Sequence, residues 1–98
     1  LECYLPSAKR QFGYFTLPML FGDTFIGRLD AKADRKSSNL CIHNIWLEAA
    51  TVVSDRLVKQ LALSLRRFQT ELGCNSLTLK HVKDIQVKRS LKQILGNT

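Results

Sequence analysis

Charged side chains recur at every second position along one stretch of this chain. The charged positions are, in order, Arg28, Asp30, Lys32 and Asp34. The apolar or small residues at odd-numbered positions of the same stretch are Phe25, Leu29, Ala31 and Ala33. On a β-strand this spacing puts the charges on one face and the apolar or small residues on the other. Such a charged face has two uses: opposite charges two residues apart can pair and stiffen a hairpin, or the cations can contact a polyanion.

The cations near the end of this stretch suggest nucleic-acid binding. Lys32 lies on the predicted strand, and Arg35 and Lys36 follow in a turn, so a β-ribbon would present cations at its tip, where they can reach phosphates in a groove. The alternative is a solvated hairpin without a ligand, which spacing alone favours slightly because surface cations are common. The candidate DNA contacts are Lys32, Arg35, Lys36 and Arg28. The candidate structural ion pairs are formed by Arg28, Asp30 and Asp34.

No catalytic motif is visible. The chain has no nucleophile elbow, Walker loop or H-E-x-x-H helix. Asp23, Asp30 and Asp34 could exchange protons, but each lies beside a cation or in a turn, which favours structural pairing. We therefore predict no catalytic residue in this chain.

The cysteines predict reduced thiols. Cys3, Cys41 and Cys74 are odd in number and widely spaced, which argues against a disulfide scaffold and a zinc ribbon. His43 near Cys41 and His81 near Cys74 leave a metal site conceivable, but a buried Cys is usually a small hydrophobe. We predict no metal and no cofactor.

Length and charge set the broad class. The 98 residues suffice for one domain with a modest core, and the net charge of +7 with a pI near 9.7 favours polyanionic partners or serves solubility. The chain begins at Leu1, and Met19 is its one methionine, so we expect a piece of a longer protein. No apolar run approaches the roughly 20 residues of a membrane span, so we expect a cytoplasmic monomer that does not contact membranes.

The elements that would position these residues form an α+β domain over 1–98. We predict an irregular entry segment at 1–10, a three-stranded antiparallel meander at about 14–21, 24–34 and 39–47, a long amphipathic helix at about 54–72, a short fourth strand at about 75–81 and a short C-terminal helix at about 87–95. Gly22-Asp23 indicates a type II′ hairpin turn, Ser54 a helix N-cap and Gly73 the end of that helix.

Three finer expectations follow from the pattern. The apolar residues of the third strand alternate onto both faces, which predicts a central strand that is covered on both sides. Asn39 suits a left-handed backbone after the charged turn. Tyr14, Phe15 and Phe21 are expected in core or edge packing rather than as platforms for base stacking.

Several segments resemble a known family when taken in register. They are KRQFGYFTLP at 9–18, LFGD at 20–23, GRLDAKADRK at 27–36 and WLE at 46–48, followed by Leu72-Gly73. These segments resemble the C-terminal part of the YcaQ/AlkZ-like winged-helix DNA glycosylases, bacterial DNA-repair hydrolases that unhook interstrand crosslinks and remove bulky alkylated bases. The resemblance covers about residues 4–80. Family members often have Gly where this chain has Asn39.

The resemblance implies a DNA-binding accessory domain. In that family, winged-helix units precede a β-rich C-terminal domain that helps to hold the duplex, and a hairpin approaching the minor groove maps onto Arg28 to Lys36. Catalysis resides in an earlier Gln-x-Gln or Gln-x-Asp motif. The glutamines here, none with a matching partner two residues on, are Gln11, Gln60, Gln69, Gln86 and Gln93. The implied partners are double-stranded DNA and the winged-helix domains of the same parent chain. A domain that only braces those units, without touching DNA, is the alternative.

Overall fold

In the described part of the chain, five strands in chain order form one sheet, and two helices pack on it. A computed structural model describes residues 3–4 and 13–96. The elements are β1 (Cys3–Tyr4), β2 (Gly13–Phe21), β3 (Thr24–Asp34), β4 (Asn39–Leu47), α1 (Asp55–Leu72), β5 (Ser76–Val82) and α2 (Ile85–Leu95). Strands β1 to β4 are antiparallel neighbours, and β5 lies parallel to β4 after the α1 crossover. The predicted α+β class and its meander are confirmed.

The predicted entry segment includes one strand. Cys3 and Tyr4 form the two-residue β1, which pairs with Phe21 and Leu20 at the end of β2. A two-residue strand carries too little pattern to be detected in a sequence. The remainder of the predicted segment 1–10 lies outside the described residues.

Local chemistry fixes both ends of α1, as predicted. The Ser54 hydroxyl oxygen accepts a hydrogen bond from the Leu57 backbone N–H at 3.1 Å, which satisfies a donor that has no partner within the helix. Gly73 follows the last turn with φ 73°, the left-handed conformation that glycine adopts without steric cost. Helix α2 begins two residues earlier than predicted because the Asp84 carboxylate caps the N–H groups of Gln86 and Val87.

The core lies between one face of the sheet and the two helices. Fully buried side chains come from every layer: Met19, Leu29, Leu40, Ile42 and Ile45 from the sheet, Leu61, Leu65 and Phe68 from α1, and Leu91 from α2. Each such side chain stabilises the fold by roughly 1.5–3 kcal/mol relative to an exposed one. Burial of these side chains therefore determines which face of the sheet packs against the helices.

A bulge in β4 changes which face its side chains occupy. Ala31 pairs with Ile42 and Asp30 pairs with Asn44, so His43 is an extra residue in β4. As a result Ile42 and Ile45 both face the core, and Trp46 faces the opposite side. β4 is a central strand as predicted, but the prediction that it is covered on both sides is wrong because strict alternation ignores the extra residue.

A second bulge shifts the start of β3. Met19 pairs with Gly27 and Leu20 pairs with Phe25, which leaves Ile26 without a cross-strand partner. Ile26 is buried, whereas Phe25 is 48% exposed. The prediction that Phe25 shares the face opposite the charges is therefore wrong, whereas Leu29, Ala31 and Ala33 lie buried on that face as predicted. The two-residue turn at Gly22-Asp23 is confirmed, with Gly22 at φ 62°.

Neither α1 nor α2, the helices of the described chain, is long and apolar enough to cross a membrane.

Candidate nucleic-acid interface

The sheet face opposite the core carries the charged residues of β3. No helix of the described chain packs on this face, because both helices cover the buried side. We call it the open face. It comprises Tyr14, Thr16 and Pro18 of β2, Arg28, Asp30, Lys32 and Asp34 of β3, Cys41, His43, Asn44 and Trp46 of β4, and Thr78 of β5. All of these residues are exposed or half-buried. The predicted alternation of the four charged residues is thus confirmed.

Two cations of the open face lie over aromatic rings. The Arg28 Cζ atom is 4.4 Å from the centroid of the Trp46 ring, and the Lys32 Nζ atom is 5.1 Å from that of Tyr14. Each pair consists of direct cross-strand partners, so the antiparallel register itself brings cation and ring together. At exposed sites such contacts contribute about 0.5–1 kcal/mol. They also hold both charges above the sheet.

The carboxylates of the open face accept hydrogen bonds from nearby donors. Asp30 Oδ1 accepts from the Thr16 hydroxyl at 3.0 Å. Asp34 accepts from the Ser37 hydroxyl at 3.0 Å and from the Lys36 backbone N–H at 3.1 Å. These two bonds, Ser37 first, hold the pKa of the Asp34 carboxyl below its ordinary value of 3.8, and the charge of Lys32 adds to the effect.

The proposed ion pairs among Arg28, Asp30 and Asp34 stay a prediction. The contacts that the structure shows join Arg28 to Trp46, Asp30 to Thr16 and Asp34 to its own turn. Arg28 therefore has an aromatic partner, and its pairing with Asp30 remains to be tested.

The turn between β3 and β4 presents the remaining cations. Arg35 and Lys36 are both exposed there. Ser38 anchors this turn to the connection after α1, since its backbone carbonyl accepts from the Asn75 N–H at 2.7 Å and its hydroxyl lies 3.4 Å from the Gly73 carbonyl. The tip of the hairpin is thereby fixed against the body of the domain.

The left-handed residue of this turn is Ser38, with φ 55°, and not Asn39 as predicted. Asn39 already belongs to β4, where it pairs with Asp34 and with Ser76. Its side-chain oxygen accepts from the hydroxyls of Ser76 and Thr78 at 2.8 and 3.2 Å. Asn39 therefore links β4 to β5 instead of relieving backbone strain.

The aromatic residues of the open face were not predicted. Tyr14 is 75% exposed, which contradicts its expected place in core or edge packing. Phe15 fulfils that expectation, because its ring meets Phe68 edge-on with centroids 5.9 Å apart. Alternation along β2 could have separated the two, since Tyr14, Thr16 and Pro18 alternate with apolar residues. Trp46 was not predicted on this face because the β4 bulge changes the face that it occupies.

Thiols and imidazoles do not form a cluster in the described part of the chain. Cys41 is half-buried and Cys74 is buried, and burial raises the pKa of the Cys74 thiol above its ordinary value of 9.0. Across residues 13–96 no three His, Cys, Asp or Glu side chains lie close enough to hold a metal ion. The His43 ring instead lies 5.8 Å from the Tyr14 ring, with its Nε2 atom buried and without a hydrogen-bond partner.

A cleft of about 770 Å³ opens at the far end of β3 from the turn. Its lining includes Phe25, Arg28, Trp46, Val53 and Lys83. Val52 beside it is 83% exposed and Val53 is 44% exposed. The cleft therefore combines apolar side chains with the Arg28–Trp46 contact of the open face.

No family model and no solved structure matches this chain. The function is therefore best argued from the contacts and charges of the open face.

Proposed function

We propose that this domain binds double-stranded DNA, with phosphates contacted along β3 and its turn. The observation that carries the proposal is a line of four cations, two on the sheet face that no described helix covers and two in the exposed turn that follows it: Arg28, Lys32, Arg35 and Lys36. The strand part of this line, from Arg28 to Asp34 at the end of β3, is roughly 20 Å long at about 3.3 Å per residue, and Arg35 and Lys36 follow in the turn. This strand length is more than half of one helical turn of B-DNA, about 34 Å.

The chemistry of the line suits a phosphate backbone. Arg28 and Lys32 each lie over an aromatic ring, a contact that leaves N–H donors able to reach a phosphate. The two carboxylates along the line, Asp30 and Asp34, accept hydrogen bonds from Thr16 and from the turn. The net charge of +7 adds a long-range attraction that brings a polyanion to the domain.

The family resemblance supports a more specific proposal. The chain would be the DNA-binding C-terminal part of a bacterial, cytoplasmic glycosylase that unhooks interstrand crosslinks or removes alkylated bases. Catalysis would reside in winged-helix units of the same parent chain, because this part has no catalytic motif. A Gln-x-Gln or Gln-x-Asp motif upstream in the parent sequence would support this proposal, and its absence would contradict it.

Titration of a labelled duplex at several salt concentrations tests DNA binding directly. Affinity should fall with added salt, by about 0.9 in logarithmic slope for each phosphate neutralised. The double variant Arg35→Ala/Lys36→Ala should reduce the slope by close to two such steps. The matched control is Arg89→Ala/Lys92→Ala, which removes two exposed cations from α2 instead. Equal losses in the two variants would mean that only net charge matters, and unchanged affinity would remove the turn from the interface.

The cleft supports a second candidate, in which the domain braces the winged-helix units of its parent. Val52 and Val53 are apolar and exposed beside a cleft that also contains Phe25. Exposed apolar groups of this kind mark protein contacts. Under this candidate, Arg28→Ala would destabilise the domain while DNA affinity stayed at the wild-type value. A loss of DNA affinity with unchanged stability would reject it.

A further inference from the structure

The open face offers aromatic rings as well as cations. We infer that it binds a single-stranded nucleic-acid segment, whose bases stack on Tyr14 and on the Arg28–Trp46 pair. This inference rests on the proposed function, since the same cations would attract both forms of nucleic acid. It adds a class of ligand that phosphate contacts alone do not recognise.

Tyr14 is the first stacking position. Its side chain is 75% exposed on the open face, so one large ring is presented to solvent from a regular strand. Lys32 lies 5.1 Å from this ring and can pair with the phosphate of a nucleotide whose base lies on the ring. His43, with its ring centroid 5.8 Å away and tilted by 37°, supports the ring from the neighbouring strand.

The Arg28–Trp46 pair is the second stacking position. The guanidinium lies over the indole at 4.4 Å, and Arg28 is exposed while Trp46 is half-buried. Proteins that bind unpaired RNA or DNA stack bases both on aromatic rings and on guanidinium planes. A base can therefore stack on the pair from outside, and the N–H groups of Arg28 can donate to its phosphate.

The two positions are spaced for one short strand. Lys32 and Arg28 are four residues apart on β3, so the two cations are about 13 Å apart along the strand, with Tyr14 on β2 and Trp46 on β4 on either side of it. Between them lies a row of polar groups, with Asp30 hydrogen-bonded to Thr16 and paired with Asn44. Carboxylates and amides of this kind can bond the exposed edges of bases. A duplex cannot use this arrangement, because its bases are already stacked within the helix.

Trp46 is the only tryptophan in the chain, so intrinsic fluorescence reports on this face alone. The 98-residue chain would be titrated with a ten-nucleotide oligo-dC, with oligo-dT and with a duplex of the same length. Saturable quenching by the single strands is expected. Tyr14→Ala should weaken single-strand binding at least about 5-fold, the effect of losing one base stack, while duplex affinity changes less than about 2-fold. Tyr14→Phe should restore binding, because it restores the ring.

Leu63→Ala is the matched control, since Leu63 is a 55% exposed side chain on α1, on the other side of the sheet. It should leave single-strand binding unchanged. Duplex binding without any single-strand binding would overturn this inference and leave the proposed function standing. No binding of either form would overturn both. Equal weakening by Tyr14→Ala and Leu63→Ala would also overturn the inference, because the loss would then follow from stability rather than from stacking.

Discussion

Arg28 and Trp46 are direct cross-strand partners, and the guanidinium of the first lies 4.4 Å from the ring centroid of the second. This relationship gives Arg28 a structural partner that is not a carboxylate. It also explains how a half-buried indole is kept on a face without a helix: the guanidinium covers the ring in place of a packed layer. The pair thus connects the stability of the sheet to the chemistry of its open face.

A double-mutant cycle should measure this contact. We expect a coupling free energy of about 0.5–1 kcal/mol between Arg28→Ala and Trp46→Ala, because the pair is a cation–π contact at an exposed site. Urea unfolding followed by far-ultraviolet circular dichroism gives all four stabilities. A parallel cycle with Arg28→Ala and Asp30→Ala tests the predicted ion pair. A larger coupling free energy in that cycle would show that Asp30 is the main partner of Arg28.

Gly27 should be intolerant of any side chain. A Cβ atom at this position would lie 1.9 Å from the Trp46 carbonyl oxygen and 2.9 Å from the Leu47 Cα atom, both in the backbone of β4. Neither can move without breaking the ladder, so Gly27→Ala should lower the free energy of unfolding by about 1–3 kcal/mol or more. Gly13→Ala is the control, because φ is also positive there but no atom lies within 4 Å. Equal losses of unfolding free energy in the two variants would show that the positive φ, and not the clash with β4, causes the destabilisation.

The ends of α1 and the bounds of β3 and β4 were predictable because local residues determine them. Ser54 and Gly73 supply the cap and the left-handed stop of α1, and the recurrence of Leu between them repeats with the period of a helix. β3 and β4 likewise begin and end where predicted. These features depend on neighbours in the chain, so the sequence contains them directly.

The composition of the open face was only half predictable, because two bulges interrupt the alternation. The extra His43 puts Trp46 on the open face, and the unpaired Ile26 removes Phe25 from the core. A bulge is defined by how a strand pairs with its neighbour, so the residues of β4 alone do not predict it. The spacing of the cations in the sequence predicted their common face. The rings beneath them could be located only from the pairing of β3 with β2 and β4.

Asp34 should make stability depend on acid pH. Hydrogen bonds from Ser37 and Lys36 lower its pKa in the folded state, so the carboxylate stabilises the fold above the ordinary value of 3.8. That contribution is lost as pH falls through the lowered pKa. Asp34→Asn should therefore flatten the decline of stability below about pH 4, measured as urea midpoints from pH 2.5 to pH 6. A decline below about pH 4 that is as steep in Asp34→Asn as in the wild-type chain would contradict this prediction.

The two described thiols should differ in reactivity. Cys74 is 7% exposed and burial raises its pKa, so little reactive thiolate forms near neutral pH, whereas Cys41 is half-buried on the open face. In a Cys3→Ser background at pH 8, a thiol reagent that releases a coloured product should react rapidly with Cys41 and slowly with Cys74. The fast phase should disappear in Cys41→Ser and persist in Cys74→Ser. Bound single-stranded DNA should slow that phase by covering the open face, and an undiminished rate under saturation would indicate that the strand lies elsewhere.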